Sequence, residues 1–351
     1  MHESREKNRI IHDTIAAVAA CDLAVEIGSE NTRAYVKGQG CVLHEPSVIA
    51  TVRSQSGAQV LHVGREALRR LRQPAKTDET VVPSWPRVDG FLGDDTAAEA
   101  ILRHVFKKTT IPKRLLLFVP HSATKVEEHA LRTAVLAAGA GSVEMLPAPL
   151  GLAVADALEH SIHIPRVVVD IGAHTTEASV VTRSGIVYSK ITRLGGRAMT
   201  RAIADYIKRA HNLLIPETLA EQIKIHVASA WSVAFERVIC ETPYIVNRPK
   251  IRERTIIVGG RDVVTGVAQN ISVSSGEMSE AIAPSTLMGK IMNAIITTME
   301  EVPPELIPAV LDNGILLTGG GSRLHGMKQR VQAERVPVNF QPKVLPKLFR
   351  M

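Results

Sequence analysis

The sequence predicts an α/β protein with two lobes, and three observations support this. The chain has 351 residues, which suits two domains or one large two-lobed domain. Apolar runs of strand length alternate with segments of helical periodicity from end to end, as is typical of α/β folds. Hydrophobic residues make up 45% of the chain, so a sizeable core can be buried.

Local patterns predict individual elements. Helix starts are predicted at three Ser/Thr-x-x-Glu capping boxes, Thr96–Glu99, Thr124–Glu127 and Ser274–Glu277. The segment that follows the last box is predicted to run through an apolar stripe at a spacing of four, from Leu287 to Met299, and to end before Pro303. Strands are predicted at Arg114–Val119, Arg166–Asp170, Thr255–Val258 and Gly314–Thr318.

Composition and charge exclude several classes of protein. No apolar run approaches the roughly 20 residues of a membrane span, and the three cysteines lie far apart, as expected in a reducing cytoplasm. The net charge is +7, and seven basic residues against one acid between Arg323 and Met351 carry most of it. That tail suits either an anionic surface or a solvated end. The two tryptophans are too isolated to stack bases, so no specific nucleic acid is expected.

The N-terminal segment predicts a short amphipathic helix. Ile10, Ile11, Ile15 and Val18 fall on one side of it, and charged residues lie elsewhere. Two placements remain open at this point. The helix lies either on a membrane surface or on its own domain, since its alanine-rich second half is weakly hydrophobic for lipid.

An internal repeat points to a phosphate site. Residues 25–32 and 169–176 each contain an apolar strand with a carboxylate near its end, then Ile-Gly, a tight polar turn and a threonine. Such a turn exposes backbone N–H groups that can cradle phosphate oxygens. The preceding carboxylates, Glu26 and Asp170, can hold Mg²⁺ through water. A third element, Ile315–Ser322, runs from a strand into a glycine-rich turn that lets a nucleotide approach the backbone.

These elements, in this order, resemble the actin/Hsp70/sugar-kinase ATPase superfamily, and the surrounding sequence is similar to the MreB family of bacterial rod-shape-determining actin homologues. The likeness covers about residues 22–340. It is carried by Tyr35–Gly40, Glu45–Ala50, Gly185–Ser189, Ala220–Lys224, Pro303–Leu306 and Leu317–Gly321. The resemblance implies an actin-like fold of two duplicated mixed-sheet lobes around a cleft for ATP and Mg²⁺. It divides the chain into an N-terminal segment (1–21), lobe I (22–150), lobe II (151–340) and a basic tail (341–351).

The resemblance also assigns site residues by position. The first phosphate turn comprises Ser29, Glu30 and Asn31, and the second comprises Ala173, His174 and Thr175. The metal-facing carboxylates are Asp170 and Glu26. Ribose and adenosine contacts fall on Glu221, Gln222, Ile223, Lys224, Gly319, Gly320, Gly321 and Ser322.

Several of these positions depart from the family. Glu26 replaces an aspartate, and Glu30 puts a negative charge where a small residue is usual, which should weaken phosphate binding by Coulomb repulsion. Ala173 and His174 replace two glycines. If that turn needs a positive φ, the replacement costs roughly 1–2 kcal/mol. A protonated His174 would instead neutralise phosphate, so the sign of its effect is open.

The most informative departure concerns hydrolysis. The family is a slow ATPase, in which a glutamate and a threonine of the second turn orient the attacking water. Here Ala148 stands in place of that glutamate, although Thr175 remains as the catalytic threonine. Because alanine neither accepts a proton nor positions water, hydrolysis is expected to be slow or absent.

The resemblance thus implies a cytoskeletal protein that binds ATP and polymerises with itself. Its filaments would lie in the cytoplasm, on the inner face of the membrane, and act with the cell-wall synthesis machinery to govern cell shape. A second hypothesis is a hydrolysis-deficient paralogue that scaffolds or modifies a standard filament. A third, a chaperone or sugar kinase of the same superfamily, stays open because fold alone does not decide function.

Overall fold

The computed structural model of the chain describes residues 9–54, 57–73, 80–160, 164–231, 253–283, 287–334 and 338–340. Within these ranges the α-helices are α1 (Arg9–Ala20), α2 (Arg65–Leu71), α3 (Asp95–Lys108), α4 (Lys125–Ala137), α5 (Ala148–His160), α6 (Gly196–His211), α7 (Glu217–His226), α8 (Ser275–Ala281), α9 (Leu287–Glu300), α10 (Ile307–Asn313) and α11 (Met327–Gln332). Short 3₁₀ helices span Pro304–Leu306 and Gly321–Arg323.

The strands are β1 (Leu23–Ile27), β2 (Asn31–Val36), β3 (Gly40–Pro46), β4 (Ile49–Ser54), β5 (Gly57–Val63), β6 (Val81–Ser84), β7 (Arg87–Val88), β8 (Phe91–Leu92), β9 (Arg114–Val119), β10 (Ser142–Pro147), β11 (Arg166–Ile171), β12 (Thr176–Thr182), β13 (Gly185–Thr192), β14 (Leu213–Leu214), β15 (Thr255–Asp262), β16 (Ala268–Ser274), β17 (Ile315–Thr318) and β18 (Val338–Phe340).

The chain divides into two units. Unit 1 runs to Ile164 and takes in Val181–Val187, whereas unit 2 holds Pro165–Val180 and the described chain from Tyr188 onward. Unit 1 continues past residue 150, where the sequence places the boundary, because α5 packs against β9 and β10.

The two units contain five-stranded sheets with the same topology. The strand order is β10-β9-β1-β2-β3 in unit 1 and β18-β17-β11-β12-β13 in the sheet of unit 2. In unit 1, β1 pairs antiparallel with β2 and parallel with β9, and in unit 2 β11 pairs parallel with β17. Smaller sheets, β5-β4-β6 and β14-β15-β16, accompany them. The shared order confirms the predicted duplicated α/β architecture.

One face of each sheet packs against helices of its own unit. In unit 1, Leu23 and Val25 of β1 join a core that includes Ile101 of α3 and Leu131 of α4. In unit 2, the core includes Val169 of β11 together with residues of α6 and α9. Full burial of a leucine, isoleucine or valine side chain contributes roughly 1.5–3 kcal/mol, so these faces dominate the stability of each unit.

The predicted strands and two of the three predicted capping boxes are confirmed. The side chains of Thr124 and Ser274 accept from the amides of Glu127 and Glu277, and both glutamates return a hydrogen bond. The box at Thr96 is wrong. Helix α3 begins two residues earlier, because the Asp94 carboxylate accepts from the Ala97 amide at 2.8 Å and aspartate is a strong N-cap. The single segment predicted from the Ser274 box to Met299 is wrong, since the box starts the short helix α8 and the stripe from Leu287 forms the separate helix α9.

Helix α1 packs on its own unit. Thr14, Ala17 and Val18 are buried, and the helix contacts α5 and β9. Ile10 lies against Gly185 at the tip of the β12–β13 hairpin, where a Cβ on the glycine would be 3.2 Å from the Ile10 Cδ1. The structure therefore supports the docked placement of the two that the sequence leaves open. The basic tail (341–351) lies outside the described residues.

A partly buried ion-pair cluster joins β3 to α3 in unit 1. One oxygen of Glu45 lies 2.6 Å from the Lys108 Nζ, and the other lies 3.0 Å from the His104 Nε2. Burial alone would raise the pKa of Glu45, but the hydrogen bonds from Lys108 and His104 outweigh it and lower that pKa below its usual 4.5. A carboxyl with a lowered folded pKa stabilises the fold above its unfolded pKa, and this stabilisation is lost as the pH falls through the folded value.

We expect Glu45→Gln to lower the free energy of unfolding by about 1–2 kcal/mol at neutral pH, because it removes a charge-assisted hydrogen bond. The difference from the wild type should shrink as the pH falls below 4.5 and through the lowered pKa of Glu45 in the folded protein. Urea unfolding at neutral and acidic pH measures both values. Glu128→Gln is the matched control, since its ion pair with Lys125 is exposed and worth about 0.5 kcal/mol or less. An equal loss for both variants would contradict the prediction.

Candidate functional site

The first repeated turn joins β1 to β2 at the carboxyl end of β1. The Gly28 amide donates to the Asn31 carbonyl oxygen at 3.0 Å, and the Ser47 amide donates to the Glu30 carbonyl oxygen at 2.9 Å. A Cβ on Gly28 would lie 2.7 Å from the Asn31 carbonyl oxygen, so this position requires glycine. The turn is thus fixed by backbone contacts, with Ser29 half-buried and the Glu30 side chain exposed.

The second repeated turn has the same hydrogen bond in unit 2. The Gly172 amide donates to the Thr175 carbonyl oxygen at 2.8 Å, three residues along the chain as in the first turn. Ala173 and His174 both lie within the described chain, and neither has a positive φ. The strain cost considered for these non-glycine residues therefore does not arise, because the turn adopts backbone angles that any L-residue accepts.

The amino end of helix α6 supports the second turn. The Gly196 amide donates to the Gly172 carbonyl oxygen at 3.0 Å, and the Arg197 amide donates to the Ala173 carbonyl oxygen at 2.8 Å. In a trans peptide the N–H points opposite to the C=O. The N–H groups of Ala173 and His174 consequently point away from the helix, as donors to a phosphate must.

The third turn packs directly on the strand that leads into the second. Gly319 has a φ of +86°, and a Cβ there would overlap the Asp170 Oδ1 and the Ile171 carbonyl oxygen. A Cβ on Gly321 would overlap the Ile171 side chain. The Ser322 hydroxyl donates to the Gly319 carbonyl oxygen at 2.7 Å, which closes the turn at the start of the 3₁₀ helix. Two of the three glycines are thus required by close packing.

Gly320 differs from the glycines beside it. A Cβ on Gly320 would meet nothing within 4 Å, and its φ is −65°. The open space at this position is consistent with a backbone that a ligand can approach.

The predicted ribose pair lies beside the second turn. The Lys224 Nζ contacts the Glu221 Oε2 at 2.6 Å, the Gly196 carbonyl oxygen at 2.9 Å and the Thr200 hydroxyl at 3.0 Å. The Thr200 hydroxyl also donates to the Glu221 carboxylate. The pair is thereby anchored to the first turn of α6, the same turn that holds the Gly172 carbonyl.

The two residues between this pair differ in their environment. The Gln222 side chain is exposed, whereas Ile223 is fully buried in the core of unit 2. Only the backbone of Ile223 therefore remains for a ligand contact.

Glu26 is held by its own unit. It is the direct cross-strand partner of Arg33, and the Arg33 Nη1 donates to the Glu26 Oε2 at 2.9 Å. The buried Tyr35 hydroxyl is also hydrogen-bonded to Glu26. Burial raises the pKa of Tyr35, and the negative charge of Glu26 raises it further, so Tyr35 stays a neutral donor.

Ala148 is the first residue of α5, directly after β10, and its side chain is half-buried. Strands β10, β9 and β1 are parallel, so Ala148 and the first turn lie on the same edge of the sheet. Thr175 is half-buried in the second turn, whereas the Thr176 hydroxyl donates to the Leu194 carbonyl oxygen at 2.8 Å. The threonine committed to the fold is therefore Thr176.

The structure brings together the predicted residues of unit 2. The second turn, the third turn and the Glu221–Lys224 pair meet around Asp170 and the amino end of α6. Within unit 1, the first turn, Glu26 and Ala148 lie at one edge of the sheet. Among the described residues, no group of three or more His, Cys, Asp or Glu side chains is arranged to hold a metal ion.

Sequence reasoning missed four residues that shape this region. Gly196 and Thr200 position the second turn and Lys224, and Arg33 and Tyr35 hold Glu26. The partners of Glu26 could have been found, because the strand alternation and the short turn place Glu26 opposite Arg33 on the same face. The roles of Gly196 and Thr200 depend on tertiary packing and leave no local pattern.

Comparison with known families agrees with this geometry. The family model described as "MreB/Mbl protein" matches residues 20–345. The chain belongs to the MreB/Mbl family. It is 34% identical to the cell shape-determining protein MreB of Escherichia coli K12 over 326 residues, which are 90% of this chain and 88% of that protein. It is also 34% identical to the cell shape-determining protein Mbl of Bacillus subtilis, over 91% of this chain and 90% of Mbl.

Solved structures of the family and its relatives share the fold. The crystal structure of MreB5 of Spiroplasma citri bound to ADP superposes with a TM-score of 0.77 at 25% identity and covers 93% of each chain. The MamK double helical filament superposes with a TM-score of 0.70 at 19% identity, over 93% of this chain and 96% of MamK. The fold of this MreB/Mbl chain is therefore actin-like. Its described helices include none that combines the length and the apolar character needed to cross a bilayer.

Proposed function

We propose that this chain binds ATP and polymerises into filaments that govern cell shape. The observation that carries the proposal is the cluster in unit 2, where two glycine turns and the Glu221–Lys224 pair meet around the amino end of α6. Backbone N–H groups directed out of a turn, and a nearby lysine, suit phosphate recognition. The ADP bound to MreB5 and the names of the MreB and Mbl relatives support the assignment.

The proposed ligand contacts are the ones that the family resemblance assigns from the sequence. We assign phosphate contacts to Ser29–Asn31 and to Ala173–Thr175, and nucleoside contacts to Glu221–Lys224 and Gly319–Ser322. A Mg²⁺ that accompanies ATP would be held by the phosphates and by Asp170, and it would neutralise phosphate charge. We further propose that the filaments lie on the inner face of the cytoplasmic membrane and act with the cell-wall synthesis machinery, which rests on family membership.

Sedimentation tests polymerisation. We expect the fraction of protein in the pellet to rise with concentration in the presence of ATP and Mg²⁺, and to be smaller without nucleotide. A head-to-tail contact that does not close predicts a threshold concentration and open filaments visible by electron microscopy. Protein that stays in the supernatant at every concentration, with and without nucleotide, would exclude a self-assembling filament.

A second candidate function is favoured by Ala148. A chain that lacks the water-orienting glutamate would bind ATP and release no phosphate above background, and would act as a scaffold or modifier of a standard filament. Copelleting with a standard MreB, together with phosphate release by this chain alone, distinguishes the two functions. Pelleting only in the presence of the standard MreB would favour the modifier.

A further inference from the structure

The carboxylate at the end of β1 has an unusual environment, and the inference drawn from it rests on the proposed nucleotide site. Glu26 and Arg33 face each other across the β1–β2 pair, close to the turn Ser29–Asn31 that joins the two strands. Their side chains are 25% and 33% exposed, and the Nη1–Oε2 distance is 2.9 Å. A short ion pair that is partly shielded from water is stronger than a fully solvated one.

The carboxylate of Glu26 has a second partner on the same face of the sheet. The Tyr35 hydroxyl is hydrogen-bonded to it, and Tyr35 is only 1% exposed. The phenol O–H donates this hydrogen bond and the carboxylate accepts it. The Arg33 guanidinium and the Tyr35 hydroxyl, both on β2, together hold the Glu26 carboxylate against the neighbouring strand.

Glu26 in this state does not fit a divalent cation. Mg²⁺ prefers anionic or neutral oxygen ligands with good octahedral geometry, usually through several waters. The charge of Glu26 is balanced by a guanidinium in direct hydrogen-bond contact with it, and this cation repels a second cation nearby.

We propose that Arg33 replaces part of the role of the divalent cation, so that this chain binds ATP with an affinity nearly independent of Mg²⁺. Mg²⁺ between a polyphosphate and a carboxylate offsets the repulsion between these two negatively charged groups. Here the Glu26–Arg33 pair is neutral by itself, and arginine is well suited to carboxylate and phosphate alike. The glutamate, one methylene longer than the family's aspartate, reaches the guanidinium on the neighbouring strand.

The first experiment uses the unmodified full chain. The affinity for the non-hydrolysable analogue AMPPNP is measured by titration calorimetry in excess Mg²⁺ and in excess EDTA. We expect the two dissociation constants to agree within about threefold, since the carboxylate already has its counter-charge. A loss of about a hundredfold in EDTA would overturn the inference and leave the proposed function intact. No binding in either buffer would overturn the proposed function, and the inference with it.

The second experiment assigns the effect to Arg33. Arg33→Leu leaves Glu26 without its counter-charge, so its affinity should fall by about tenfold or more when Mg²⁺ is replaced by EDTA. Arg33→Lys keeps the positive charge, so its dissociation constants in EDTA and in Mg²⁺ should differ as little as those of the wild type. Lys125→Gln, which removes an exposed ion pair elsewhere in unit 1, is the control.

The variants give separable outcomes. If the ratio of the dissociation constant in EDTA to that in Mg²⁺ is the same for Arg33→Leu and the wild type, Arg33 does not supply the counter-charge of Glu26. Circular dichroism and melting curves establish that each variant is folded before titration. If Arg33→Leu does not fold, the wild-type comparison and Arg33→Lys still decide the question, because a large EDTA effect in either would contradict the proposal.

Discussion

Gly319→Ala is expected to lower the free energy of unfolding of unit 2 by about 3 kcal/mol or more. The residue has a φ of +86°, which is strained for any residue with a Cβ. The added methyl group would also overlap the Ile171 carbonyl oxygen and the Asp170 carboxylate. The backbone oxygen cannot rotate away, so β11 or the third turn has to shift.

The same shift should weaken nucleotide binding. Asp170 and Ile171 lead directly into Gly172, whose backbone fixes the second turn on α6. Displacing them moves the N–H groups of Ala173 and His174, and a misplacement of about 1 Å is enough to lose well-aligned hydrogen bonds. Urea unfolding and AMPPNP titration on the same preparation measure both effects.

Gly320→Ala is the matched control for this prediction. It introduces the same methyl group at the neighbouring position, where φ is −65° and nothing lies within 4 Å. Its free energy of unfolding should stay within about 0.5 kcal/mol of the wild type. A loss for Gly319→Ala as small as that of Gly320→Ala would show that the third turn tolerates a Cβ at residue 319 and that its close packing on β11 is not required.

The sequence predicts the frame of this protein because its strands and turns are locally encoded. The repeated Ile-Gly turn predicts both hairpins, and the structure confirms them with one shared hydrogen bond at Gly28 and Gly172. The start of a helix is predicted less well where two nearby residues could each serve as the N-cap. Asp94 and Thr96 both precede a helical pattern, and the aspartate wins because its carboxylate reaches the Ala97 amide.

Other features depend on packing that no local pattern contains. The docking of α1 on unit 1 follows from the partners of Ala17 and Val18, which the amphipathic pattern does not identify. The backbone of the second turn is another example. The family's two glycines suggest a positive φ, yet Ala173 and His174 adopt ordinary angles because α6 holds the neighbouring carbonyls.

Ala148→Glu is expected to raise phosphate release from bound ATP by about a hundredfold or more, within the range that a positioned general base contributes. The family resemblance places a glutamate here, and this chain keeps Thr175 of the second turn. The first turn of α5 contains no acidic residue. Because the amino end of a helix favours negative charge, a glutamate at its first position should be tolerated or slightly stabilising.

Ala148→Gln distinguishes the effect of a proton acceptor at residue 148 from the effect of a larger side chain there. Glutamine has nearly the size of glutamate and can hold a water molecule, but it does not accept a proton. Phosphate release under single-turnover conditions, with AMPPNP affinity measured in parallel, should rise for Ala148→Glu and stay near the wild-type value for Ala148→Gln. If both variants bind nucleotide and neither releases phosphate faster than the wild type, Ala148 does not limit hydrolysis. The second turn would then be the next place to search, since His174 stands there in place of a glycine.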